Sequence, residues 1–187
     1  MSLDQDRAQL RDILNDLSIR RGDFVLASGK RSNVYIDARV TTCHARSMPL
    51  IGRLMLAKMA ERGWRPVAVG GMTLGADPIV TAVARESIEP GQPIAIDAFL
   101  VRKEAKGHGM RKQIEGLPEG TGAIDVVIVD DVCTTGDSTI KAIQAAREAG
   151  LNVLGAICLV NREQGAREAI ETGLSCPFDQ IFLMSEL

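Results

Sequence analysis

Two adjacent carboxylates, Asp130 and Asp131, run straight into Val132, Cys133, Thr134, Thr135, Gly136, Asp137, Ser138 and Thr139. The hydroxyls of Thr134, Thr135, Ser138 and Thr139 can donate hydrogen bonds, and Gly136 lets backbone N–H groups approach a ligand closely, so this half of the segment suits a phosphate. The two acids beside it would repel a bare phosphate. Their presence asks for a ligand that carries sugar hydroxyls or a bound cation next to the phosphate, such as ribose 5-phosphate with magnesium.

Such a site needs a strand on one side and a helix on the other. Val126, Val127, Ile128 and Val129 form an apolar run without alternation, the pattern of a strand buried on both faces of a parallel sheet. Downstream, Ile140, Ile143, Ala146 and Ala149 recur at helical spacing until Gly150 supplies a stop. The segment between them lies at the carboxyl end of a strand and the amino end of a helix, where unpaired N–H groups and the helix dipole attract an anion. A plain turn with caps would use the same residue types. Other phosphate fingerprints are missing: no Gly-x-Gly-x-x-Gly follows a strand, and Gly29-Lys30 continues into Arg31 rather than the Ser or Thr of a Walker loop.

Along the chain, apolar runs alternate with helical patterns. Strands are predicted at 67–69, 98–101, 126–129, 154–160 and 180–183, and helices at 4–17, 49–62, 78–87, 138–149 and 164–171, with Gly63, Gly150 and Gly173 as stops. The fold class is α/β, a doubly wound parallel sheet flanked by helices. Ligands of such sheets gather beyond the carboxyl ends of the strands, which gives 70–77, 102–112, 130–138 and Arg162 a common location. The second of these is basic: Lys103, Lys106, His108, Arg111 and Lys112 fall among Gly107, Gly109 and Gly116, a composition suited to meeting a polyanion.

Composition narrows the field. The 187 residues are 45% hydrophobic and 25% charged, ordinary globular usage, and no apolar run reaches membrane-spanning length. Lys and Arg number 22 against 24 Asp and Glu, so no global positive field draws nucleic acid. Cys43, Cys133, Cys158 and Cys176 show neither a Cys-x-x-Cys pair nor metal-ligand spacing, and the first residues lack the pattern of a signal peptide. Reduced thiols in the cytoplasm are expected, with Cys133 as a small semi-buried filler and His44 as structural or solvated.

The two acids followed by Val-Cys-Thr-Thr-Gly-Asp-Ser-Thr resemble the phosphoribosyl pyrophosphate loop of the type I phosphoribosyltransferases. Three further segments resemble the orotate phosphoribosyltransferases within that family: 24–37, Phe-Val-Leu-Ala-Ser-Gly-Lys-Arg-Ser-Asn-Val-Tyr-Ile-Asp; 102–109, Arg-Lys-Glu-Ala-Lys-Gly-His-Gly; and 161–163, Asn-Arg-Glu. The resemblance implies one phosphoribosyltransferase domain over 1–187. Its core would run from about 48 to 172, and a small amino-terminal hood, from about 1 to 40 with carboxyl-terminal residues, would cover the active site.

It further implies transfer of the 5-phosphoribosyl group from phosphoribosyl pyrophosphate to orotate, giving orotidine 5'-monophosphate and pyrophosphate in pyrimidine synthesis. By the same resemblance Cys133, Thr134, Thr135, Gly136, Asp137 and Ser138 hold the 5-phosphate, Val132 belongs to the same phosphoribosyl pyrophosphate site, and Asp130 and Asp131 face the ribose hydroxyls. Arg102, Lys103, Lys106 and His108 meet pyrophosphate; Lys103, Lys106, His108 and Asp131 are the catalytic candidates. Arg162, Thr134, Tyr35 and Ile36 take orotate. Magnesium would ride mainly on phosphoribosyl pyrophosphate, with no dedicated protein metal site. A homodimer with shared active sites is implied, Lys103 reaching into the neighbour's. Ala27 and Gly75-Ala76 stand where many members carry Lys and an aromatic-Lys pair, which leaves Lys30 or Arg31 as substitutes. Transfer to a purine or uracil, or a regulator that senses phosphoribosyl pyrophosphate on the same fold, would share the sugar-phosphate loop.

Overall fold

The structure is a computed structural model that describes residues 2–25, 29, 31–103 and 113–187. It opens with helix α1 (Leu3–Leu17), started by a capping box in which Ser2 and Gln5 exchange side-chain to backbone hydrogen bonds. Strands β1 (Ile19–Val25) and β2 (Arg31–Ile36) and the short helix α2 (Arg39–Thr42) follow. Then come α3 (Met48–Glu61), β3 (Ala68–Met72), α4 (Asp77–Ser87), β4 (Asp97–Val101), β5 (Ile114–Glu115) and β6 (Asp125–Cys133). The chain continues through α5 (Asp137–Glu148), β7 (Asn152–Asn161), α6 (Ala166–Leu174) and β8 (Phe178–Leu183) to a 3₁₀ turn at Met184–Glu186.

The main sheet has the order β5-β4-β3-β6-β7-β8, parallel throughout except for the short edge strand β5. Side chains of a strand alternate between faces, and here both faces are covered. Val127 and Val129 turn toward Val69, Ile157 and Leu159 under α1, α3 and α4, whereas Val126 and Ile128 join Ala156, Cys158 and Phe178 under α5 and α6. That explains the unbroken apolar run of β6: neither face meets water. The expected α/β sheet with helices on both sides is what forms.

The differences are local. Leu10 and Leu14 of α1 and Phe178 and Phe182 of β8 are fully buried, so the core reaches beyond 48–172 at both ends. Within the first 40 residues it is β1 and β2 that stand apart, as a two-stranded antiparallel sheet of their own. Strand β6 does not stop at Val129, because β7 keeps pairing with it through Asp130↔Cys158, Val132↔Val160 and Cys133↔Asn161. Both acids are therefore strand residues. Gly173 does not stop α6, which ends one residue later and turns at Ser175 with φ 48.

Among the described residues no helix is long and apolar enough to cross a membrane. Cys133, Cys158 and Cys176 are buried free thiols and Cys43 is an exposed one; burial pushes the Cys158 thiol well up. His44 Nδ1 lies 3.5 Å from the Ser47 hydroxyl in the turn before α3.

Candidate active site

The turn between β6 and α5 is shaped by Gly136. Its φ of 88 is open to glycine and strained for other residues, and a Cβ there would come within 3.2 Å of Ile170 Cδ1 and 3.4 Å of Ala166 Cα. No side chain caps α5, so the amino end of this 12-residue helix presents N–H groups to an incoming anion.

Asp130 ends the continuous buried run of β6 at 4% exposure. One of its oxygens, Oδ2, accepts from Thr139 Oγ1 at 2.7 Å and Ser138 Oγ at 3.0 Å, and Oδ1 accepts from the Asp131 N–H at 3.0 Å. The carboxylate thus ties the end of the strand to the first turn of α5. Asp131 points outward, its Oδ1 accepting from the Val132 N–H at 2.8 Å. Gly75 makes room for it: a Cβ on that residue would lie 2.6 Å from Asp131 Oδ1. Burial, and then the neighbouring Asp131 charge, raise the Asp130 carboxyl to about 6. Asp131 is also raised by burial, against the Val132 N–H and the Arg39 charge, which lower it.

These residues line an open cleft of about 310 Å³. One wall is the end of β2 and the start of α2, with Tyr35, Ile36, Asp37 and Arg39. Met72 ends β3, and Thr73, Leu74 and Gly75 come from the loop after it, which contains a cis peptide between Thr73 and Leu74. Lys103 arrives from the end of β4, and Asp130, Asp131, Val132 and Ser138 complete the floor.

Of the candidates read from sequence, Tyr35, Ile36, Lys103, Asp130, Asp131, Val132 and Ser138 meet in this cleft. Cys133 is at 1% exposure beneath the turn, its Sγ 3.0 Å from Thr139 Oγ1. Thr134, Thr135, Gly136 and Asp137 continue around the turn, Thr135 and Asp137 being exposed. Arg102 leans instead toward Glu115, 3.7 Å away. Arg162 lies behind the β1–β2 sheet, Nη2 being 3.5 Å from the Val34 carbonyl, while its Nε is buried with no partner among the described residues. Lys106 and His108, with Gly107, Gly109, Arg111 and Lys112, lie outside the described residues, as do Ala27 and Lys30. Arg31 is exposed and pairs with Asp23 at 3.4 Å.

A family profile described as the phosphoribosyl transferase domain matches residues 44–182. The chain is 44% identical over 182 residues to orotate phosphoribosyltransferase of Corynebacterium glutamicum, covering 97% of this chain and 93% of that protein. Orotate phosphoribosyltransferase of Mycobacterium tuberculosis H37Rv is 46% identical over 166 residues, covering 89% and 88%. The chain belongs to the orotate phosphoribosyltransferase family. A crystal structure of the M. tuberculosis enzyme with Fe(III) dicitrate superposes with a TM-score of 0.83 at 40% identity, covering 97% of this chain and 98% of that one. The same enzyme in complex with 5-phospho-alpha-D-ribosyl 1-diphosphate gives 0.79 at 38% identity with the same coverage. Adenine phosphoribosyltransferase of Leishmania tarentolae, at 15% identity, shares the fold with a TM-score of 0.66.

For this phosphoribosyltransferase, the sequence motifs do not mark Asp37, Arg39 and Leu74 as cleft residues. Asp37 directly follows the end of β2 and Arg39 stands two residues later, so an Asp-x-Arg pair at a strand end is the available signal. Thr139 was read only as one more hydroxyl.

Proposed function

We propose that this protein transfers the 5-phosphoribosyl group from phosphoribosyl pyrophosphate to orotate, releasing pyrophosphate and forming orotidine 5'-monophosphate. The observation that carries this is the cleft at the carboxyl end of β6, where two carboxylates, an uncapped helix amino terminus and the end of the β1–β2 sheet converge. At the sugar carbon the bond to the departing diphosphate breaks and a bond to the base nitrogen forms, so positive charge develops on the ribose while negative charge develops on the leaving group. The amino end of α5 holds the 5-phosphate, Asp131 meets the ribose hydroxyls, and Lys103 faces the diphosphate. Each such charge-assisted contact contributes roughly 1.5–3 kcal/mol, and those that strengthen as charge develops raise the rate.

Orotate would lie between Tyr35, Ile36 and the Val34 edge, its carboxylate gripped by Arg162, whose buried Nε has no partner among the described residues. No group of three or more His, Cys, Asp or Glu among the described residues is disposed to hold a metal. Magnesium would ride on the diphosphate, whose charge it offsets, with Asp130 and Asp131 acting through sugar hydroxyls or water. Two copies sharing their sites through the basic loop, and a cytoplasmic location in keeping with free thiols, complete the reading.

A spectrophotometric assay with phosphoribosyl pyrophosphate and magnesium, run separately with orotate, uracil and hypoxanthine, tests it. Turnover with orotate alone, abolished by excess chelator, is the expected result. Preference for either other base would remove the orotate assignment, and full activity in chelator would remove the magnesium one.

A further inference from the structure

The Asp37 and Arg39 pair at the mouth of the cleft is not needed to hold the fold. Its side chains are 29% and 54% exposed, and ion pairs so open to water contribute little stability. Yet the arrangement is rigid. Asp37 Oδ1 accepts from Arg39 Nε at 2.9 Å and from the Arg39 N–H at 3.2 Å, and Oδ2 accepts from Nη2 at 3.1 Å. The backbone beneath is fixed as well: the Asp37 N–H donates to the Ser18 carbonyl at 3.0 Å, and the buried hydroxyls of Ser18 and Thr41 meet at 2.6 Å. Asp37 thus takes the Nε side of the guanidinium, and the end-on edge formed by Nη1 and Nη2 stays available for a second anion.

The cleft supplies a reason for that anion. Its described lining holds Asp37, Asp130 and Asp131 against Arg39 and Lys103. A polyanion placed beside Asp131 is repelled unless a cation is already aimed at it, and the Arg39 charge is close enough to Asp131 to favour its ionised form. We infer that Arg39 is a binding residue for the diphosphate of the sugar donor and that Asp37 is the positioning residue that aims it. This rests on the phosphoribosyl-transfer reading above.

The test pairs binding with kinetics. Calorimetric titration of inorganic pyrophosphate with magnesium, which requires no turnover, is run on the wild type, Arg39→Gln, Arg39→Lys and Asp37→Asn. Loss of one charge-assisted contact should weaken pyrophosphate binding by about 10- to 100-fold in Arg39→Gln. Arg39→Lys and Asp37→Asn should fall between it and the wild type, since charge is kept but aim is lost. In steady-state assays the KM for phosphoribosyl pyrophosphate should rise in the same order while the KM for orotate changes less than about twofold, and melting temperatures should stay together because the pair is exposed. Unchanged pyrophosphate binding in Arg39→Gln would overturn the inference and make the pair a surface salt bridge. A rise in the orotate KM alone would overturn it in favour of the base carboxylate. If the wild type binds pyrophosphate but fails to turn over orotate, the orotate reading falls and the Arg39 assignment is still judged by the titration.

Discussion

Thr139 Oγ1 donates to Asp130 Oδ2 at 2.7 Å across the turn that joins β6 to α5. The bond lies in the core, with Asp130 at 4% and Thr139 at 1% exposure, so water cannot replace it. This cleft carboxylate is also the bolt that holds α5 to its strand.

Removing the hydroxyl while keeping the shape should therefore be costly. Thr139→Val is expected to destabilise the protein by roughly 1.5–3 kcal/mol, the range for a hydrogen bond to a charged group. The loss should be larger at pH 8 than at pH 5, where protonation of Asp130 weakens the bond. Urea unfolding at the two pH values checks this, with Thr139→Ser as the control that retains the hydroxyl. Equal losses at both would mean that packing rather than the charge is what Thr139 provides.

Asp130 itself imposes a pH dependence. Its carboxyl is raised from 3.8 to about 6, so within that window the folded protein keeps a proton that the unfolded chain has released. The contribution of this group to stability therefore falls as pH rises from about 4 to about 6 and is flat above it. Asp130→Asn should gain on the wild type in melting temperature over this interval. A difference between the two that does not change with pH would show that Asp130 titrates normally.

A side chain added at Gly75 is predicted to displace Asp131. An added Cβ would meet Asp131 Oδ1 at 2.6 Å, and the carboxylate must swing away from its bond to the Val132 N–H. Gly75→Ala should raise the KM for phosphoribosyl pyrophosphate severalfold while shifting the melting temperature little, because the residue lies at the cleft surface. Kinetics indistinguishable from the wild type would mean that the position of Asp131 is not critical to sugar binding.

Arg162→Lys should weaken orotate binding by roughly 1–3 kcal/mol, since a lysine cannot reproduce a two-pronged contact with a carboxylate. The affinity for phosphoribosyl pyrophosphate should hardly change. Titration of each ligand decides, and equal losses for both would move Arg162 away from the base.

Lys103 lines the cleft of its own chain, whereas the family resemblance sends it to a neighbour. Lys103→Ala and Asp131→Ala, each inactive, should regain activity when mixed if sites are shared between two copies. No recovery, with mixed dimers verified by mass spectrometry, would keep Lys103 within its own subunit.

Much of this was legible in the residues. The unalternating run from Val126 to Val129 announces a strand covered on both faces, and the Gly136 turn announces where an anion can meet a helix. What escaped is what depends on partners distant in sequence. Nothing near Asp130 says that β7 will keep pairing and draw both acids into the strand. Nor does local pattern show that Leu10 and Leu14 fill the same core as Leu159, or that Gly75 is small for the sake of Asp131. The bond between Asp130 and Thr139 is short in sequence, yet a Thr in a first helical turn is so common that its type alone cannot reveal the partner.

The burial of Cys133, Cys158 and Cys176 leaves Cys43 as the one exposed thiol among the four. It caps α2, the helix that begins at Arg39, and alkylating reagents attack accessible thiolates. A maleimide dye added to the unaltered protein should attach at that single sulfur. The wild-type chain thus offers a single labelling site at the far end of the helix that Arg39 begins, where an attached dye could follow ligand arrival without any engineered cysteine.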